Sequence, residues 1–159
     1  NGEEVRFYSD LMDGKVVVIE SMFTTCVAVC PVIAGKMRRI AEAAGDRLGR
    51  DVQLISISVD PAVDTPAKMR EYARRHKAPA AGWTFLTGSP ANVRAVLGKL
   101  GFAVEDKDAH STILLMGNER TGLWKKANGL SSPDELVAIF ESVLTDAGAA
   151  AGGAAGGAR

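Results

Sequence analysis

The chain has 159 residues, the length of one domain with a substantial core. Its 47% hydrophobic and 24% charged residues are typical of a globular protein. Lysine plus arginine (19) balance aspartate plus glutamate (19), which argues against a nucleic-acid partner. No apolar run approaches the ~20 residues that a transmembrane helix needs. We expect one domain over residues 1–146 and a disordered alanine- and glycine-rich tail over residues 147–159.

Four apolar segments have the residue types of central strands, and they lie at 15–23, 51–59, 83–87 and 111–116. A polar, turn-like segment at 118–122 joins the last of these strands to residues 123–126 as a hairpin.

Helical patterns separate the predicted strands. The first follows Pro31 and ends at Gly49. Three others begin with a capping residue and a proline, at Thr65-Pro66, Ser89-Pro90 and Ser132-Pro133. This alternation predicts an α/β fold with a largely parallel central sheet, a C-terminal hairpin and flanking helices. Functional sites in such sheets lie beyond the carboxyl ends of the strands.

The only two cysteines, Cys26 and Cys30, lie where the first strand gives way to a helix. Unpaired N–H groups and the helix dipole favour thiolate at a helix start. On one helix face their Cβ atoms would be about 5–6 Å apart, which suits a disulfide or one soft metal ion. The alternative is a structural disulfide or a buried apolar pair. Since so small a loop stabilises by only ~2 kcal/mol, we expect a chemically active pair.

Several further motifs, taken together and in order, resemble the Sco/SenC family of thioredoxin-fold copper proteins linked to cytochrome oxidase assembly. The motifs are Cys26-x-x-x-Cys30-Pro31, the run from Ser56 to Pro66, Tyr72, residues 86–88 and Asp108-Ala109-His110-Ser111. The resemblance extends from about residue 16 to residue 144. It implies a thioredoxin-like fold and a copper site formed by Cys26, Cys30 and His110. The family often has proline and an acidic residue at positions 27 and 28, so valine and alanine there make the rim more apolar.

The resemblance also implies a function. It is that of a copper metallochaperone, which binds Cu(I) or Cu(II) and delivers it to the CuA site of cytochrome c oxidase or maintains that site. Its expected partners are an oxidase subunit with a copper site and a thiol–disulfide reductant, and the chain is expected to be a monomer. The expected location is the periplasmic or extracytoplasmic side of a membrane, with an anchor upstream of Asn1. Two thiolates and one imidazole are ligands that suit Cu(I).

A second hypothesis is a thiol–disulfide oxidoreductase, in which Cys26 attacks a partner disulfide and Cys30 resolves the mixed disulfide. A peroxidase ranks third, because no arginine or threonine pairing around the thiols is evident. Thioredoxins place a cis-proline just before the strand that begins near Ser111, and its absence here favours metal binding. Whether the protein is an enzyme stays open, since metal transfer by ligand exchange needs no catalysed reaction.

Three other polar residues have simpler structural interpretations. His76 follows two arginines at a predicted helix end, where a cation would suit the dipole. Asp60 is expected in a turn after a strand, and Asp64 or Thr65 is expected to cap the next helix. Asp60 and Asp64 could still shape the edge of a copper site.

Overall fold

The computed structural model describes residues 2–102 and 111–148, where helices and strands alternate. The elements are α1 Phe7–Leu11, β1 Val16–Met22, α2 Val29–Ala44, β2 Val52–Ser58, α3 Pro66–Arg75, β3 Trp83–Leu86, α4 Pro90–Leu100, β4 Ile113–Asn118, β5 Leu123–Asn128 and α5 Pro133–Leu144. The short helix α1 was not predicted from the sequence. None of the helices in these two ranges is long and apolar enough to cross a bilayer.

The five strands form one sheet in the order β3-β2-β1-β4-β5. Strand β2 runs parallel to β1 and β3, whereas β4 runs antiparallel to both β1 and β5. The α/β fold and the hairpin of β4 and β5 are therefore confirmed, and the parallel part consists of three strands. Because Leu115 pairs with Ile19, β4 begins at the edge of the sheet where β1 and β2 end.

Two apolar cores cover the two faces of the sheet. Val16 and Val18 of β1 lie in a buried cluster with side chains of α2 and α5. Val17 and Ile19 point the other way and pack with side chains of α1 and α4. Burial on both faces explains why β1 is a continuous apolar run rather than an alternating one.

Side chains cap the three helices whose start signals were predicted. Each hydroxyl accepts a backbone N–H three residues later, with Thr65 bonded to Lys68 at 3.4 Å, Ser89 to Asn92 at 3.2 Å and Ser132 to Glu135 at 3.2 Å. Such caps contribute about 1 kcal/mol each. Helix α2 is different, because it begins before Pro31 and its N-cap residue, Ala28, has no side chain that could accept a hydrogen bond. The first N–H groups of α2 are thus open to another acceptor.

Candidate metal centre

The two cysteines occupy different environments at the carboxyl end of β1. Cys30 lies in the first turn of α2 and is 2% exposed. Cys26 lies in the preceding turn, where its N–H donates to the carbonyl of Phe23 at 3.2 Å, and its side chain is partly exposed. Cys26 lies outside α2, which begins at Val29, so the two cysteines do not share one helix face. The two thiols still meet, since the Cys30 thiol donates a hydrogen bond to the Cys26 sulfur.

The pKa of Cys26 is lowered by the hydrogen bonds that its sulfur accepts. Burial raises that pKa, but hydrogen bonds from the Cys30 thiol and from the N–H groups of Cys30, Ala28 and Val29 outweigh the effect. The Cys26 sulfur therefore accepts from N–H groups that no side chain caps, and the thiolate is favoured.

Cys30 is shifted in the opposite direction. Burial raises its pKa far above the ordinary value, and the hydrogen bond to Cys26 raises it further. The negative charges of Cys26 and Glu20 add smaller effects of the same sign. In the reduced protein the pair therefore consists of an accessible thiolate-forming sulfur and a buried, protonated one.

A buried carboxylate fixes the turn that leads to Cys26. Asp64 is 0% exposed and accepts hydrogen bonds from Thr24, through both the backbone N–H at 3.1 Å and the hydroxyl. It also accepts from the Ser58 hydroxyl at 2.6 Å. Asp64 thus joins the turn after β1 to the end of β2. Thr65 caps α3 as predicted, whereas the capping interpretation of Asp64 is wrong, because its oxygens accept from Thr24 and Ser58.

A second buried carboxyl group, that of Glu20, lies in β1 on the side that faces α2. It is 3% exposed and accepts from the Ser56 hydroxyl at 2.6 Å, and Ser56 in turn accepts from the Trp83 indole at 2.9 Å. Burial raises the pKa of Glu20 to about 7, although the Ser56 hydrogen bond opposes the shift. The negative charge of Glu20 also raises the pKa values of Cys30 and Tyr72.

Ser111, the first described residue after the segment 103–110, lies beside the carboxyl end of β1. The Ser21 hydroxyl of β1 donates to the carbonyl of Ser111 at 3.3 Å, just before β4 begins. His110, the predicted third ligand, lies outside the described residues. Over residues 2–102 and 111–148, no three side chains of histidine, cysteine, aspartate or glutamate are grouped so that they could hold a metal ion.

Asp60 lies in the turn where it was expected, and His76 lies at the end of α3, where a cation was expected. His76 caps the end of α3, and its ring centroid lies 4.2 Å from that of Tyr72. Burial and the neighbouring Arg75 lower its pKa, so it is not the cation that we expected at this helix end. The carbonyl of Asp60 accepts from the N–H groups of Val63 and Asp64 in the turn after β2.

Two contributions to the site were missed in the sequence. Glu20 could have been found from the sequence, because it is an acidic residue inside the apolar run of β1. No spacing rule pairs Thr24 with Asp64, because 40 residues separate them and only the sheet brings them together.

A five-stranded sheet with flanking helices and a thiol pair at a strand-to-helix junction is the arrangement of thioredoxin-like proteins. Residues 1–145 match the SCO1/SenC family, and the chain belongs to that family. A SCO1 protein homolog of Bacillus subtilis is 31% identical over an alignment 155 residues long, and the alignment covers 91% of this chain and 78% of the relative.

Solved structures agree with this assignment. A SCO1/SenC family lipoprotein of Bacillus anthracis superposes with a TM-score of 0.68 and 24% identity, covering 82% of each chain. The structure of Bradyrhizobium japonicum ScoI with copper bound has a TM-score of 0.65 and 26% identity, covering 82% of this chain and 85% of that one. The thioredoxin-like fold predicted from the sequence is therefore confirmed.

Proposed function

We propose that this protein is a copper metallochaperone that holds copper through Cys26, Cys30 and His110 and serves the assembly of the CuA site of cytochrome c oxidase. The observation that carries the proposal is the hydrogen-bonded thiol pair, in which Cys26 is primed as a thiolate by the start of α2. Soft thiolates select Cu(I). Family membership and the similarity to a copper-bound ScoI support the same ligand chemistry.

His110 is proposed as the third ligand. Ser111 is held against Ser21 at the carboxyl end of β1, and His110 is the residue directly before Ser111 in the sequence. A neutral imidazole there would complete a three-coordinate site.

Copper titration of the reduced protein tests the role of the cysteines. We expect one Cu(I) per chain, with most of the affinity lost in Cys26→Ser and in Cys30→Ser, because a single sulfur with one imidazole is a poor Cu(I) site. Thr25→Ser is the matched control, since Thr25 is exposed beside Cys26 and is not a proposed ligand. Undiminished tight binding by the double cysteine variant would refute the proposal.

The two histidines of the chain make a matched pair for testing the third ligand. His110→Ala should weaken copper binding and change the Cu(II) spectrum, whereas His76→Ala should leave both unchanged, because His76 packs on Tyr72. Metal binding should also weaken as the pH falls through the histidine range, since the ligand must be neutral. An all-sulfur coordination sphere in X-ray absorption would show that His110 is not a ligand.

A thiol–disulfide oxidoreductase is the second candidate, and the opposite pKa shifts of the two cysteines favour it. A low-pKa, accessible Cys26 could attack a partner disulfide, and Cys30 could then resolve the mixed disulfide. Turnover in an insulin-reduction assay separates the two functions. An oxidoreductase should keep its turnover in His110→Ala, because exchange needs only the thiols.

We further propose an extracytoplasmic location, with an anchor upstream of Asn1, for a monomer that is re-reduced by a thiol–disulfide reductant. The similarity to a SCO1/SenC family lipoprotein supports anchoring at a membrane surface. Fractionation of cells that express the natural gene tests the location, and recovery in the cytoplasm would contradict it.

A further inference from the structure

A cleft opens directly beside the thiol pair. It lies between the turn that carries Thr24 to Val27 and the helix α3, and its volume is about 330 Å³. Val27, the residue after Cys26, lines the cleft and is 91% exposed. Val27 therefore presents an apolar side chain to solvent, one residue away from the Cys26 thiol.

The wall opposite Val27 is basic. Helix α3 carries one carboxylate, that of Glu71, and four cationic residues: Lys68, Arg70, Arg74 and Arg75. Of these five residues only Lys68, Glu71 and Arg75 line the cleft, where together they give a net charge of +1. Arg75 pairs with Glu71 at 3.0 Å, and Lys68 forms no ion pair with any other described residue.

We propose that this cleft docks an acidic segment of the protein that exchanges copper with the thiol pair. An apolar side chain of the partner packs on Val27, while its carboxylates face Lys68 and Arg75. The proposal rests on the copper-transfer function above and adds the chemistry of the partner. Charge complementarity at this rim would steer the encounter and orient the acceptor ligands toward Cys26.

A protein fits these features better than an anionic membrane does. A membrane-bound helix inserts its apolar face between lipids. The apolar residues of α3, Met69 and Tyr72, are instead buried in a cluster with Met22 and Cys30. What remains exposed is a concave surface with a carboxylate between cations, and it can accept side chains of a partner.

Two synthetic acceptor peptides provide the test. Each contains Cys-Ala-Ala-Ala-Cys, flanked by glutamates in one peptide and by lysines in the other. We expect copper-loaded protein to transfer Cu(I) to the glutamate peptide faster, on the order of ten-fold at low salt, and the preference to shrink at high salt. Lys68→Glu should reduce or reverse the preference for the glutamate peptide. Lys99→Glu, exposed on α4 at the other face of the sheet, is the control and should leave it unchanged.

A copper-free experiment separates this proposal from the proposed function. The glutamate peptide with serines in place of its cysteines is titrated into ¹⁵N-labelled, reduced apo-protein. Changes in the chemical shifts of Val27, Lys68 and Arg75 are expected, and Val27→Ser should make these changes smaller at every salt concentration.

Equal transfer to both peptides, or shift changes elsewhere, would overturn the proposal. So would binding to vesicles with 30% phosphatidylglycerol that depends on Lys68 while neither peptide binds. Failure of the protein to bind Cu(I) would count against the proposed function, and the titration would still decide on docking.

Discussion

Two buried carboxyl groups flank the thiol pair, and they differ in what they bind. Asp64 accepts hydrogen bonds from three donor groups in two segments of the chain: the N–H and hydroxyl of Thr24 and the hydroxyl of Ser58. Among the hydrogen bonds of the described residues, Glu20 accepts one, from Ser56 in the neighbouring strand. Asp64 therefore joins the turn before Cys26 to β2, whereas Glu20 places a titratable group within the sheet.

The two carboxyl groups therefore affect the thiol pair in different ways, one through geometry and the other through charge. Asp64 determines where the turn that carries Cys26 lies. Glu20 acts on Cys30 through charge, because its carboxylate raises the pKa of that thiol. Changes at Asp64 should therefore alter the geometry of the turn, while changes at Glu20 should alter the free energy of unfolding only where its carboxyl group ionises.

The largest effect is expected from Asp64→Ala. This substitution leaves the N–H and hydroxyl of Thr24 and the hydroxyl of Ser58 without their acceptor, at roughly 3–5 kcal/mol in total. The released turn should also lose the hydrogen bonds that lower the pKa of Cys26. We expect a lower free energy of unfolding in urea and a higher midpoint in the pH profile of Cys26 alkylation by iodoacetamide.

Asn118→Ala is the matched control for Asp64→Ala. Asn118 is 1% exposed and donates to the carbonyl of Val143 at 3.0 Å, at the end of β4 far from the cysteines. It should lower stability and leave the alkylation midpoint of Cys26 where it is. An unchanged midpoint in Asp64→Ala would show that Asp64 does not position the turn.

An intermediate, pH-dependent effect is expected from Glu20→Gln. The pKa of Glu20 is raised from 4.5 to about 7 by folding, so the unfolded chain releases this proton first as the pH rises. Wild-type stability should therefore fall between about pH 4.5 and 7, by about 3 kcal/mol. The glutamine side chain does not ionise, so the variant keeps its stability over this interval. The difference in free energy of unfolding between Glu20→Gln and the wild type should therefore grow in favour of the variant from pH 4 to pH 8 in the reduced apo-protein.

Ser56→Ala sharpens this prediction. It removes the hydrogen bond that opposes the pKa shift of Glu20, so the pKa in the folded state should rise further and the interval in which stability falls should extend to higher pH. The indole N–H of Trp83 also loses its acceptor, which lowers stability equally across the pH range. If the stability difference between Glu20→Gln and wild type is independent of pH, Glu20 does not titrate as described.

The sequence predicted the strands, the helix caps and the position of the cysteines, because these depend on local patterns. Thr65-Pro66 and Ser89-Pro90 begin helices in the structure as they do in the pattern. The start of α2 was predicted too late, since Val29 and Cys30 precede Pro31 and carry no start signal. The contact of Asp64 with Thr24 could not be predicted, because it depends on the pairing of β1 with β2. The ligand role of His110 stays a prediction.

The smallest effect is expected from Thr24→Val, which separates the two bonds that Thr24 donates to Asp64. Valine keeps the shape of the side chain and the backbone N–H bond at 3.1 Å, and it loses only the hydroxyl bond. We expect a loss of about 1 kcal/mol in the free energy of unfolding and an unchanged alkylation midpoint for Cys26. Thr25→Val, at the exposed neighbouring position, is the control and should change neither. If Thr24→Val matches Asp64→Ala in both measurements, the hydroxyl rather than the backbone holds the turn, and Asp64 acts on Cys26 through that one side chain.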